Sequence, residues 1–213
     1  MTLVLTLILA PFLVGAVLRG VRADAVRRIL VTGMALAVSV GTVVLALRPA
    51  TLELGEFPLN LHATNLGILA VEVLMGLFFI WVGVRAKHWL IVALALAQGV
   101  LMLWFELTQG AHLETANNLF VDKFRVIMAL INGIVGGGIC LYALGYMREY
   151  HEHAHADVPD RQPLFFSLLF LFMGAMFGLV FANNLIWLFL FWVITTLCSF
   201  LLIGYTQTAE AKR

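Results

Sequence analysis

From Asn184 to Tyr205 the chain reads NLIWLFLFWVITTLCSFLLIGY, a run without a formal charge and polar chiefly at Asn184, Thr195, Thr196, Ser199 and the weakly polar Cys198. A stretch of roughly 20 such residues is long enough to cross the hydrocarbon of a bilayer as a helix. Similar runs recur along the chain, at Thr2 to Leu18, Ile29 to Leu47, Asn65 to Val84, Trp89 to Phe105, Phe124 to Met147 and Leu164 to Ala182. An unpaired backbone amide facing lipid costs several kcal/mol, and a barrel needs alternating rather than continuous hydrophobicity. The sequence therefore predicts an all-α integral membrane protein, a bundle of about seven transmembrane helices.

Composition agrees with that reading. Hydrophobic residues make up 62% of the 213 and charged residues 12%, where a soluble domain has roughly a quarter charged. The net charge of +1 argues against a nucleic-acid partner, which would demand a clustered basic surface. Cys140 and Cys198 both fall inside apolar runs, which argues against a disulfide scaffold or a cysteine-rich metal site. The first run has no basic residue before it and reads as a retained helix rather than a cleaved signal.

Lysine and arginine set the expected orientation, because cytoplasmic ends carry the excess. With the N-terminus outside, the inner side holds Arg19, Arg22, Arg27, Arg28, Arg85, Lys87, Arg148, Arg161, Lys212 and Arg213. The outer side holds Arg48, Lys123 and Arg125. The bias favours N-out, C-in, in a multi-pass protein of the cell inner (cytoplasmic) membrane. The corner Arg85-Ala86-Lys87-His88 and the single Asn183 join the third to the fourth and the sixth to the seventh spans as antiparallel hairpins. The segments Pro49 to Thr64 and Glu106 to Lys123 become outer loops.

Glu72 is the one acid well inside a span, about 10 Å along its helix at 1.5 Å per residue. A carboxyl there is costly unless paired, hydrated or neutral. Reflection about the hairpin corner places Gln98 and Gly99 at a similar depth, so a Glu72 to Gln98 hydrogen bond is one expectation. Two readings stand beside each other: a protonated tie within the hairpin, worth about 0.6 kcal/mol, or a member of a proton relay. Gly76 and Gly83, on the same face as Glu72, suggest close packing there.

Asp122, Lys123 and Arg125 mark the mouth of the fifth span, where charges usually snorkel to headgroups; Asp122 also suits the helix dipole. Asn132 lies deeper and is followed by Gly133, Gly136, Gly137 and Gly138. Gly133 with Gly137, and Gly174 with Gly178, form small-xxx-small pairs that let helices approach. His151, His153 and His155 alternate around Glu152 in an inner loop, a pattern better read as solvated than as a metal site. His62, His88 and His112 lie in loops or at helix ends, which disfavours haem between the helices. No phosphate loop, dinucleotide fingerprint or nucleophile with base can be assembled. No cofactor is expected in this chain.

Three motifs then carry a resemblance: the helix entry FVDKF (Phe120 to Phe124), the exit YALGYM (Tyr142 to Met147) and the hairpin FGLVFANNLIWLFLFWVITTLCSFLLIGY (Phe177 to Tyr205). Together, from about Asn118 to Thr206, they resemble the antiporter-like membrane subunits of respiratory complex I, multisubunit sodium/proton antiporters, formate hydrogenlyase and energy-converting hydrogenases. Trp192, Thr195, Thr196, Cys198 and Ser199 belong to the matching motif. The resemblance implies two parts, a four-helix amino-terminal extension over 1–117 and the start of an antiporter-like domain over 118–213. It also implies ion translocation coupled to electron transfer in partner subunits.

Where that family places a membrane glutamate, this chain has Val193. The lysine-bearing helices that pair with the glutamate would lie beyond Arg213. The expected partners are the lipid bilayer, other membrane subunits of an oxidoreductase complex and a chain supplying the later helices. The alternative is a structural or assembly bundle with no proton path of its own.

Overall fold

A computed structural model describes residues 2–47, 61–108, 118–150 and 161–206. Seven helices run through them: α1 (Thr2–Leu18), α2 (Asp24–Leu47), α3 (Leu61–Arg85), α4 (Trp89–Thr108), α5 (Lys123–Glu149), α6 (Gln162–Phe181) and α7 (Leu185–Ile203). Five are long and apolar enough to cross a membrane, and α1 and the Trp89–Phe105 stretch of α4 are shorter apolar helices. The helix starts differ from the apolar runs where polar caps extend them. Asp24 opens α2 five residues before Ile29 and lies within ion-pair distance of both Arg27 and Arg28. The His loop at 151–160, Arg48, His112 and the carboxy-terminal Lys212 and Arg213 lie outside the described residues.

The core is built around α6, which packs against α1, α5 and α7. Its Phe166, Phe170, Phe177 and Phe181 are fully buried. Burying a side chain of this size stabilises by about 1.5–3 kcal/mol where water is the alternative; in a bilayer the gain is close packing and not escape from water. Small residues make that packing possible. A Cβ on Gly15 of α1 would lie 2.9 Å from the Ser167 carbonyl oxygen of α6, and one on Gly174 of α6 would lie 3.0 Å from the Ile8 carbonyl oxygen of α1. Each helix thus presents one close-approach glycine to the other's backbone. Pro11 sits between these two levels of α1, a break that membrane helices tolerate when neighbours enclose the freed backbone.

On the other side, α2 packs along α5. Gly133 of α5 abuts the Thr42 side chain, and a Cβ on Gly137 would lie 2.6 Å from Ser39 Oγ and 3.0 Å from the Ala35 carbonyl oxygen. Gly178 of α6 similarly abuts the Phe191 ring of α7. All four glycines of the small-xxx-small pairs therefore stand at helix crossings.

The α3 and α4 hairpin packs against itself and reaches the rest through α3 and α7. Its corner is tight: Lys87 adopts φ 57, and the His88 N–H donates to the Gly83 carbonyl at 3.0 Å. Glycine normally takes this left-handed position after a helix, and another residue there costs about 1–2 kcal/mol.

Candidate functional site

Interior polarity is concentrated where α2, α5 and α6 meet. Ser39 Oγ lies 2.9 Å from both the Ala35 and the Gly133 carbonyl oxygens, so its hydroxyl bridges α2 to α5. Thr42 is fully buried, and its hydroxyl donates to the Ser39 carbonyl at 2.9 Å. Opposite them, α5 widens into a π turn at Ile131–Val135. Such turns add one residue to a helical turn and often mark functional positions. Here the widening lets Gly133 and Gly137 face α2 while the Asn132 side-chain amide donates to the Met173 carbonyl of α6 at 3.3 Å. A seam of hydroxyl, amide and carbonyl groups thus runs through the centre of the bundle. It contains no titratable side chain.

Among the described residues Glu72 is the buried acid, only 8% exposed on α3. Gln98 is exposed on α4. Of the two glycines on the Glu72 face, Gly83 packs closely, since a Cβ there would lie 2.9 Å from Val92 Cγ2, whereas Gly76 faces open space. The contact between α3 and α7 joins this hairpin to the helix that carries Val193.

Along α7, the Thr195 and Thr196 hydroxyls both donate to the Trp192 carbonyl, at 2.7 and 3.0 Å, and Ser199 Oγ donates to the Thr195 carbonyl at 2.9 Å. Bonding back onto its own helix is how a hydroxyl is satisfied in hydrocarbon. Cys198 is buried, Val193 half-buried, and Trp192 is 60% exposed.

At the helix mouth the Asp122 carboxylate accepts the Arg125 N–H at 2.8 Å and so caps α5. Lys123 is exposed, and the Arg125 guanidinium lies over the Phe120 ring at 4.9 Å. Among the described residues, no three His, Cys, Asp or Glu side chains converge as a metal site.

Two polar clusters were not foreseen from the sequence. At the end where α6 turns into α7, Leu119 pairs with Ala182 as an antiparallel bridge, with Phe120 N–H to the Phe181 carbonyl at 3.0 Å and Asn183 N–H to the Asn118 carbonyl at 2.9 Å. The Asn184 side chain caps α7 by accepting the Ile186 N–H at 2.9 Å and also donates to Asn118 Oδ1 at 3.4 Å. The bridge satisfies a helix-end carbonyl that would otherwise face an apolar surround. At the opposite end, buried Arg27 pairs with Asp24 and donates to Gln162 Oε1 at 2.6 Å, tying α2 to α6. A doubled Asn between spans signals the first cluster; nothing local in the sequence signals the second.

The chain is 33% identical over 101 residues to a protein named Na(+)/H(+) antiporter subunit A1 from Staphylococcus haemolyticus, a match that covers 47% of this chain and 12% of that protein. Proteins of the same name from Staphylococcus aureus strains RF122 and JH9 match at the same identity and coverage. The similarity is to an antiporter subunit. The chain therefore spans about an eighth of the length of the curated relatives it matches. No protein-family model matches the chain, and no solved structure matches it.

Proposed function

We propose that the chain is a membrane subunit, or the amino-terminal part of one, in an ion-translocating complex. The observation that carries this reading is the 33% identity to antiporter subunits in a chain built of membrane-length apolar helices. In the fuller form suggested by the sequence motifs, the complex moves protons and is of the NADH–quinone oxidoreductase or energy-converting hydrogenase type. Electron transfer then takes place in partner subunits, and the chain lies N-out, C-in in the inner membrane. That orientation is supported by Arg19, Arg22, Arg27, Arg28, Arg85, Lys87, Arg148 and Arg161, which all fall at the ends where α1, α3 and α5 finish and α2, α4 and α6 begin.

The chain's own share of a proton route is partial. Glu72 can hold a proton in the membrane; Gln98, Asn132 and the Ser39 and Thr42 hydroxyls can accept and donate hydrogen bonds but cannot hold a charge. Asp122 and Lys123 stand at the mouth of α5. An ion pair in a low-dielectric interior shifts proton affinity strongly, and Val193 cannot form one.

A second reading, a structural or assembly bundle without a proton path, is favoured by Val193 and by the glycine-lined crossings. The test is Glu72→Gln in the assembled complex in native membranes. Proton translocation falls while the complex stays intact if Glu72 is in the route; unchanged translocation favours the structural reading.

A further inference from the structure

The corner between α3 and α4 gathers charge and aromatic side chains in a way that packing does not require. Arg85 closes α3 and its guanidinium lies over the Trp81 ring, 5.4 Å from the centroid. Lys87 follows in the left-handed conformation, and His88 precedes α4, which opens at Trp89. Trp81 is 57% and Trp89 69% exposed, and Arg85, Lys87 and His88 are exposed as well. Among the described residues neither Arg85 nor Lys87 has a carboxylate partner. Between Glu72 and Glu106 the sequence carries no acid at all.

Tryptophan prefers the headgroup layer of a bilayer, where its ring is apolar and its N–H is wet. Leu90 and Val84, exposed on either side of the corner, continue the apolar surface directly from this layer into the hydrocarbon. Arg85 and Lys87 are thereby held at the level of lipid phosphates, with Arg85 already steered by its stacking on Trp81. A planar guanidinium suits two phosphate oxygens at once, and the ammonium adds a second point charge. The left-handed Lys87 reverses the chain within a few residues, so both cations stay on one short corner.

We propose that this corner is a binding site for the phosphate headgroup of an anionic phospholipid, held by Arg85 and Lys87 and framed by Trp81 and Trp89. The inference requires only that the hairpin crosses a bilayer, and it is independent of ion transport. An acidic protein surface would satisfy the charges, but it would leave the two exposed indoles and the flanking aliphatic side chains without a partner.

The test uses the full chain in nanodiscs of phosphatidylcholine containing a spin-labelled phosphatidylglycerol, with the immobilised fraction measured against spin-labelled phosphatidylcholine. Wild type prefers phosphatidylglycerol, and each charge removed from direct contact with the headgroup phosphate weakens that preference by about fivefold. Lys87→Gly removes the charge while relaxing the left-handed backbone, so the corner stays folded and the preference drops by that factor. Lys87→Arg retains it. The double change Arg85→Gln with Lys87→Gln brings the preference close to that of neutral lipid. Arg148→Gln, at the same end of the bundle but on α5, leaves it unchanged. The proposal is overturned if wild type shows no preference, if Arg148→Gln lowers it as much as Lys87→Gly, or if the double variant keeps its lipid preference.

Discussion

The hydroxyl of Ser39 on α2 lies 2.9 Å from the carbonyl oxygen of Gly133 on α5, inside the π turn. Two helices are close enough for that bond because Gly133 and Gly137 carry no Cβ. Gly133→Ala would drive a methyl group into Thr42, with an overpacking cost of about 1–3 kcal/mol. Gly138→Ala, at a position with open space around it, should leave stability unchanged or slightly improved. Thermal unfolding of the two variants in the same detergent separates them; equal melting temperatures would show that the α2 and α5 seam is loose.

Removing the Ser39 hydroxyl alone should matter less. Ser39→Ala deletes one interhelical hydrogen bond, worth about 0.6 kcal/mol on average in membranes. Its effect on unfolding should therefore be clearly smaller than that of Gly133→Ala, and a larger loss would assign the seam's stability to hydrogen bonding instead of close approach.

Arg27 and Arg28 share the Asp24 carboxylate but not its consequences. The Arg27 side chain is 4% exposed and also holds Gln162, whereas that of Arg28 is 47% exposed. A hydrogen bond involving a charged group contributes about 1.5–3 kcal/mol, and an exposed ion pair about 0–1 kcal/mol. Arg27→Gln should destabilise the bundle markedly and Arg28→Gln very little, as read by unfolding in detergent at fixed ionic strength. Similar losses in both would mean that the tie between α2 and α6 is not what holds that end.

Asn184 performs two tasks that substitution can divide. Asn184→Ala removes the cap of α7, at a cost of about 1 kcal/mol, together with the link to Asn118. Asn184→Asp keeps an acceptor for the Ile186 N–H and loses the donor to Asn118 Oδ1. Amide hydrogen exchange at the start of α7 should rise strongly in the alanine variant and only weakly in the aspartate variant.

The helices were legible in the sequence because a membrane segment must satisfy its own backbone, leaving continuous apolar length as a sufficient signal. Five of the apolar runs appear as membrane-length helices, and the runs at Thr2 and Trp89 appear as shorter ones. The glycine pairs were legible too, since only absent side chains allow such crossings; Gly15 was missed because its partner is a backbone carbonyl on α6, far away in sequence. The same distance hides the Arg27 to Gln162 bond. The π turn left no trace, although Asn132 and Gly133 within it meet two different helices. Asp122 reads as a helix-mouth charge and is found as the α5 cap. Glu72 was identifiable as the lone interior acid, whereas the exposure of Gln98 on α4 is not something that periodicity in a uniformly apolar helix encodes.

Val193 lies near the middle of α7, half-buried. Val193→Glu in the isolated chain should lower stability by about 3 kcal/mol, the scale of a charged group at the membrane centre. Supplying the lysine-bearing partner chain should recover part of that loss. A glutamate tolerated equally with and without the partner would contradict the reading of position 193 as the counterpart of the family's membrane glutamate.

Ion flux through the chain alone bears most directly on whether it is one part of a larger translocating device. Purified protein is reconstituted into liposomes, a proton or sodium gradient is imposed, and dissipation is compared with that of empty liposomes. A subunit that lacks the glutamate and lysine pair should give no flux above the empty control. Sustained gradient dissipation that Glu72→Gln abolishes would show a complete ion path within this chain and contradict the reading.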